Sequence, residues 1–349
     1  MKSDEYHLET RSKIGAFSQK DRARAWLVSQ DNFPVLEDIT CYTLELWDES
    51  MRVPHWHPNA SELGYVISGS VQIIIWRSPG ESAVFNVEAG MCWFIPQGAL
   101  HSLNNIGAHK AELLVGFSSH KPQDIDLPVA FNGVPAFLRD AYTSPHSDLK
   151  KWRGPCANPL VSKFSVFSPP HQSTGSPYKF DLAQVTPLFQ DPKLGSITWG
   201  IKDNWNILQN ISLLRAQLKP KTARDAIWYP DAGTLYIVAH GTGQFQHVFA
   251  DKEPRLFVIK QFDYIFVPTG ILHTFVNNAS EDLELIAFFN KADPKPEISL
   301  SVATSFFPES LRKEAMTEYK NPPDNSNPLK ELKFTLQTPY LIDISDKKI

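Results

Sequence analysis

Residues 52–69, RVPHWHPNASELGYVISG, and residues 90–105, GMCWFIPQGALHSLNN, decide how this chain folds. His55 and His57 are two positions apart, so on a strand both leave the same face and Trp56 leaves the other. A Pro-Asn-Ala-Ser turn follows. Glu62 then opens an apolar strand that runs to the turn signal Ser68-Gly69, and VQIIIW (71–76) is the next strand. Pro96-Gln-Gly reads as a tight turn ahead of His101, which begins another strand. Neighbouring strands of a small barrel bring inward-facing residues to one depth. His55, His57, Glu62 and His101 are therefore expected to meet as a mixed nitrogen and oxygen donor set, suited to a divalent first-row metal. Each histidine alone would read as a core or surface residue; the four together, with their Gly and Pro punctuation, read as a site.

The module is written twice. Adding 172 to a residue number takes Tyr6 to Tyr178, Arg52 to Arg224, Pro58 to Pro230, Gly69 to Gly241, Pro96 to Pro268, His101 to His273 and Asn105 to Asn277. One inserted residue later, Pro135 corresponds to Pro308 and Leu138-Arg139 to Leu311-Arg312. Such self-similarity marks a duplicated structural unit. At 349 residues each half is long enough for its own core. The expected division is a metal-binding barrel over 1–142, a Pro- and Ser-rich linker over 143–177, and a degenerate barrel with a helical tail over 178–349. Short β-type runs with Gly and Pro turns make the fold class all-β, two tandem jelly-roll barrels with a few capping helices, which spacing and composition place at 130–142 and 305–320.

The two stretches resemble the paired signature motifs of the cupin superfamily. Gly90, Pro96, Gly98, His101 and Asn105 match every defined position of the second motif. The first matches from His55 to Gly69, but Asp48-Glu49-Ser50 stands where its leading glycine belongs. The wider segment HWHPNASELGYVISG is most similar to the oxalate decarboxylase-like bicupins. The resemblance implies that His55, His57, Glu62 and His101 ligate one Mn2+ or Fe2+, that a small carboxylate is the substrate, and that the chain forms a homo-oligomer.

The second half loses the set. His55 becomes Ile227, His57 becomes Tyr229, Glu62 becomes Thr234, and only His101 keeps its type, as His273. One imidazole cannot hold such an ion, so the second barrel is expected to be metal-free and structural, with His273, His240 and His247 in ordinary structural roles.

Two further residues are candidates for catalysis. In the oxalate decarboxylase-like enzymes an arginine at the place of Arg52 contacts the substrate carboxylate, as the guanidinium fork permits. Against this, strict alternation puts residue 52 on the opposite face from His55 unless Pro54 breaks it, and Arg224 persists in the half without ligands, so a structural salt bridge is the competing reading. Asp124 falls where the family carries a lid glutamate that donates a proton. The lid sequence itself is absent, and a solvated loop carboxylate is the alternative. Trp56, Trp93, Phe94 and Ile95 read as barrel packing.

With 38 acidic and 34 basic residues the net charge is −4 and no long basic run appears, which excludes nucleic acid as an expected partner. No stretch has the length of a membrane span, and MKSDEYHLETRSK lacks the apolar core of a signal peptide. Cys41, Cys92 and Cys156 are not spaced as a metal set, and a reduced cytoplasmic setting is expected. The sequence thus reads as a metal-dependent bicupin enzyme of the oxalate decarboxylase or oxidase kind. An iron-dependent dioxygenase of another small organic acid, or a non-catalytic metal-binding or storage bicupin, remains open.

Overall fold

The structure is a computed structural model that describes residues 5–20, 22–143, 160–163, 175–250, 253–316 and 340–347. Each half is two antiparallel sheets facing one another, as expected of a jelly roll. In the first half one sheet runs in the order Lys179–Asp181, Met91–Ile95, Glu62–Ser68, Ala111–Phe117, Thr40–Leu46, Ala23–Leu27, Phe17–Gln19. The opposing sheet holds Ile125–Asp126, Ser50–Trp56, Leu100–Asn105, Ser70–Ser78 and Glu81–Glu88, with Val161–Lys163 also paired to Ser50–Trp56. Inward alternation is visible along Ser70–Ser78, where Val71, Ile73 and Ile75 are buried and Trp76 is exposed. The second half repeats the plan, with Leu341–Asp343 on Thr222–Arg224 in the place of Val161–Lys163.

The halves exchange edges. His7–Glu9 pairs with Asp263–Val267 of the second barrel, and Lys179–Asp181 pairs with Met91–Ile95 of the first. Between the barrels lies a shared apolar core that includes Leu63, Phe94 and Leu114 from one side and Leu235, Phe266 and Phe288 from the other. Gly116 touches its own repeat counterpart there: a Cβ added at Gly116 would lie 2.7 Å from the Phe288 ring, so glycine lets the two sheets close. Each barrel also has its own interior cluster, around Ile73, Trp93 and Phe117 in the first and around Phe245, Phe275 and Phe289 in the second.

The repeat extends to the backbone. Glu49 fills the place of the missing motif glycine in the left-handed conformation, φ 55°, and its counterpart Lys221 does the same at φ 62°. Neither turn needs the glycine that the family motif specifies.

The helical stretches differ from expectation. Each is two short helices, Leu127–Gly133 with Ala136–Thr143, and Leu300–Phe306 with Glu309–Met316. Pro135 and Pro308 stand in the breaks, because proline cannot continue a helix that would need its N–H. Residues 317–320 of the second expected helix lie outside the described residues, as do Cys156 and most of the 143–177 segment; within that segment Val161–Lys163 is a sheet strand. Among the described residues no helix is long and apolar enough to cross a membrane.

Candidate metal centre

His55 is the penultimate residue of the strand Ser50–Trp56, His57 follows that strand, Glu62 opens the next, and His101 lies opposite His55 in register. The four side chains are buried, and one donor atom from each lies within 4.8 Å of all the others. The expected ligand set is thus brought together.

Hydrogen bonds fix which imidazole nitrogen faces inward. His55 Nδ1 donates to the Val53 carbonyl at 2.8 Å and His101 Nδ1 to the Ala99 carbonyl at 2.9 Å. His57 Nδ1 lies 2.7 Å from Asp124 Oδ1 and 3.0 Å from the Gln123 carbonyl. With Nδ1 holding a proton in each of these bonds, the three Nε2 atoms face inward and would give their electron pairs to a metal, the arrangement a metal-binding histidine requires. Glu62 Oε2 sits 3.1 Å from His57 Nε2 and 3.2 Å from His101 Nε2, while Glu62 Oε1 accepts from Trp93 Nε1 at 2.7 Å.

The electrostatics favour positive charge at this point. Burial would raise the Glu62 carboxyl, but the imidazoles of His101 and His57 against it hold it well below the usual carboxylate range. Burial pushes His55 well below 6.5, so it is a neutral donor. Burial also lowers His57, but Asp124 and Glu62 outweigh it and raise that group to about 9. Two carboxylates thus stabilise a cation among buried imidazoles, which fits a divalent ion held by three nitrogens and one oxygen.

Arg52 reaches the same side of its strand as His55. Between the pairs His101–His55 and Leu103–Arg52 one strand advances two residues and the other three, so Val53-Pro54 forms a bulge that reverses the alternation. The Val53 amide is taken by the Leu160 carbonyl at 3.1 Å, and Pro54 has no amide to lose. Arg52 is buried and clamped: Nη1 donates to Asp126 Oδ1 at 2.6 Å and to the Leu160 carbonyl at 3.3 Å, and Nη2 to Asp124 Oδ2 at 3.0 Å. Asp124 is therefore a bridge, with one oxygen on His57 and the other on Arg52, and its carboxyl is lowered although burial opposes that. It is neither a free lid acid nor a fully solvated loop carboxylate.

The second barrel repeats the clamp without the ligands. Arg224 pairs closely with Glu297, donates to the Tyr340 carbonyl at 2.8 Å, and the Tyr229 hydroxyl donates to Glu297 at 3.0 Å. Tyr229 thus takes the part of His57, and Glu297 that of Asp124. His273 keeps its Nδ1 bond to the i−2 carbonyl of Ile271 at 3.0 Å, and its Nε2 meets the Tyr236 hydroxyl at 2.8 Å. His247 is buried, and His240 is exposed, 4.0 Å from Glu281.

Sequence reasoning missed Asp126 and the second role of Trp93. Trp93, Phe94 and Ile95 are fully or almost fully buried, as packing demands, and Trp56 is half-buried on the outer face. Trp93 also orients Glu62. Its ring lies against Gly64, its cross-strand partner, where an added Cβ would come within 2.0 Å of the indole. The signal for the clamp was present: one residue after the constant offset shifts to 173, Asp124 corresponds to Glu297, an acid retained with its arginine in both halves.

Comparison with known proteins agrees with this architecture. The cupin family profile matches twice, over residues 13–142 and 191–318, and the chain belongs to the cupin family as a bicupin. Oxalate decarboxylase of Bacillus subtilis is 29% identical over 133 residues, which cover 38% of this chain and 34% of that protein. A probable oxalate decarboxylase of Arthroderma benhamiae is 24% identical over 307 residues, covering 82% of this chain and 73% of that one. A solved structure of the B. subtilis oxalate decarboxylase superposes with a TM-score of 0.81 at 18% identity, over 97% of this chain and 87% of that chain. The chain is thus a bicupin that resembles oxalate decarboxylase.

Proposed function

We propose that this bicupin is a metal-dependent enzyme acting on a small carboxylate, with chemistry of the oxalate decarboxylase or oxidase kind centred on one metal in the first barrel. The observation that carries the reading is the convergence of His55, His57, Glu62 and His101 beside a cavity that also presents Arg52 and Asp124. Those four residues would hold Mn2+ or Fe2+. When bound, the ion supplies a Lewis acid and an electron reservoir beside the substrate. Arg52 holds one carboxylate of the substrate by exchanging its bond to Asp124 for a bond to the ligand, while Asp126 keeps the guanidinium in place. Asp124 keeps His57 oriented through Oδ1, and the Oδ2 that Arg52 releases would receive or return a proton. In a decarboxylation the carbon–carbon bond breaks, carbon dioxide leaves and the proton goes to the carbon left behind.

A storage role is less consistent with a fully retained donor set held by oriented imidazoles and a tryptophan. The proposal includes a homo-oligomer in a cytoplasmic setting; two free, buried thiols, Cys41 and Cys92, support the latter. The test is to supply the metal-containing protein with oxalate and with monocarboxylates, and to measure carbon dioxide, formate and hydrogen peroxide. Carbon dioxide release that disappears in Arg52→Ala supports the reading. Protein that holds its metal yet transforms none of these acids contradicts it.

A further inference from the structure

The cavity beside the four ligands is apolar over most of its wall. Its volume is about 70 Å³, and Phe17, Tyr42, Leu44, Leu103, Val115 and Phe117 all line it. Phe117 leads from the wall to the metal centre: its ring lies 4.8 Å from the Tyr42 ring on one side and 4.8 Å from the His57 ring on the other. Such a wall gains nothing from a second carboxylate and gains from a hydrocarbon body.

Charge points the same way. Arg52 is the guanidinium that lines the cavity, and it already faces two carboxylates, Asp124 and Asp126; Glu62 adds a third beside the imidazoles. One guanidinium against three carboxylates can be balanced by a divalent ion, and a dianionic substrate would then add two uncompensated charges in a buried space.

The duplicated barrel supplies the contrast. Where the first barrel has Ile73 and Leu103, the second has Phe245 and Phe275, whose rings lie 4.9 Å apart, and Tyr236 packs 4.7 Å from Phe275. At these two positions the half without ligands carries rings and the half with them carries aliphatic side chains.

We infer that the substrate of the first barrel is a monocarboxylate with a compact apolar body, the carboxylate end held at the metal centre and Arg52 and the body seated on the wall of Tyr42, Phe117, Leu44 and Leu103. This rests on the small-carboxylate reading above and narrows it away from oxalate. The Tyr42 ring forms part of that wall, packed against Phe117.

The test is calorimetric binding to the metal-containing protein, using oxalate and a ladder of 2-oxo monocarboxylates: pyruvate, 2-oxobutanoate and 2-oxopentanoate. All four can chelate a metal; the three oxo acids differ only in apolar body, and oxalate replaces their keto group with a second carboxylate. Affinity is expected to rise about three- to fourfold for each methylene seated on the wall. Leu103→Phe, which copies the second barrel, should abolish that rise while metal content is kept. Leu44→Ala, which copies Ala216, should move the optimum to a longer acid and guards against a folding defect in the first variant. Oxalate binding tightest, with no dependence on chain length, would overturn the inference and leave the small-carboxylate reading standing. Binding of none of the four by metal-containing protein would overturn both.

Discussion

Asp124 couples His57 to Arg52: its Oδ1 lies 2.7 Å from the His57 imidazole and its Oδ2 accepts from the Arg52 guanidinium at 3.0 Å. A candidate metal ligand and a candidate substrate anchor therefore share one carboxylate. Glu297 joins Tyr229 and Arg224 in the second barrel through a single oxygen, so an acid between these two positions belongs to the frame of the module, and in the first half it stands beside the candidate metal centre.

Asp124→Ala should weaken metal binding by about 10- to 100-fold, the usual effect of removing a carboxylate that orients a ligating histidine. Competition with a chelator of known affinity measures this. Unchanged affinity would show that the Gln123 carbonyl, 3.0 Å from the same nitrogen, suffices to orient His57.

Trp93→Phe keeps most of the bulk against Gly64 but removes the indole N–H that donates to Glu62 at 2.7 Å. Metal affinity should fall while the fold is retained, and the loss of a hydrogen bond to a charged, buried acceptor should cost about 1.5–3 kcal/mol. Denaturant unfolding with and without metal separates the two effects.

Breaking the second clamp tests whether that barrel is structural. Arg224→Ala leaves Glu297 buried without its partner and should destabilise the chain by about 3–5 kcal/mol. Metal content should stay at the wild-type value. A loss of metal in a folded Arg224→Ala protein would mean that the second barrel takes part in binding it.

His273 gives a pH dependence that is independent of the metal ligands. Burial lowers it from 6.5 to about 4, so the folded state resists a proton that the unfolded chain accepts. Its contribution to stability is therefore complete above pH 6.5 and is lost as pH falls towards 4. The full loss is about 3 kcal/mol. His273→Gln, which keeps a hydrogen-bonding partner for Tyr236, should flatten that part of the stability profile; an unchanged slope between pH 4 and 6.5 would refute the assignment.

The repeat and the four donors were legible because spacing alone carries them: His55 and His57 share a strand face, and Gly90, Pro96, Gly98 and Asn105 punctuate the strand of His101. Arg52 was not legible in the same way. Alternation placed it on the wrong face, and the bulge at Val53-Pro54 that corrects this depends on the Leu160 carbonyl, far away in sequence. The partners of Arg52 are equally remote, as are the strands that His7–Glu9 and Lys179–Asp181 lend to the opposite barrel. Trp93 reads as packing until Gly64 is seen across from it, since only the strand register shows that its N–H reaches Glu62.

The most direct test of the account is metal content per chain, by elemental analysis of protein purified without an affinity metal, beside the His55→Ala variant. The account predicts about one manganese or iron per wild-type chain and almost none in the variant, because the remaining three donors no longer complete the set. Two ions per chain, or one that survives His55→Ala, would contradict it.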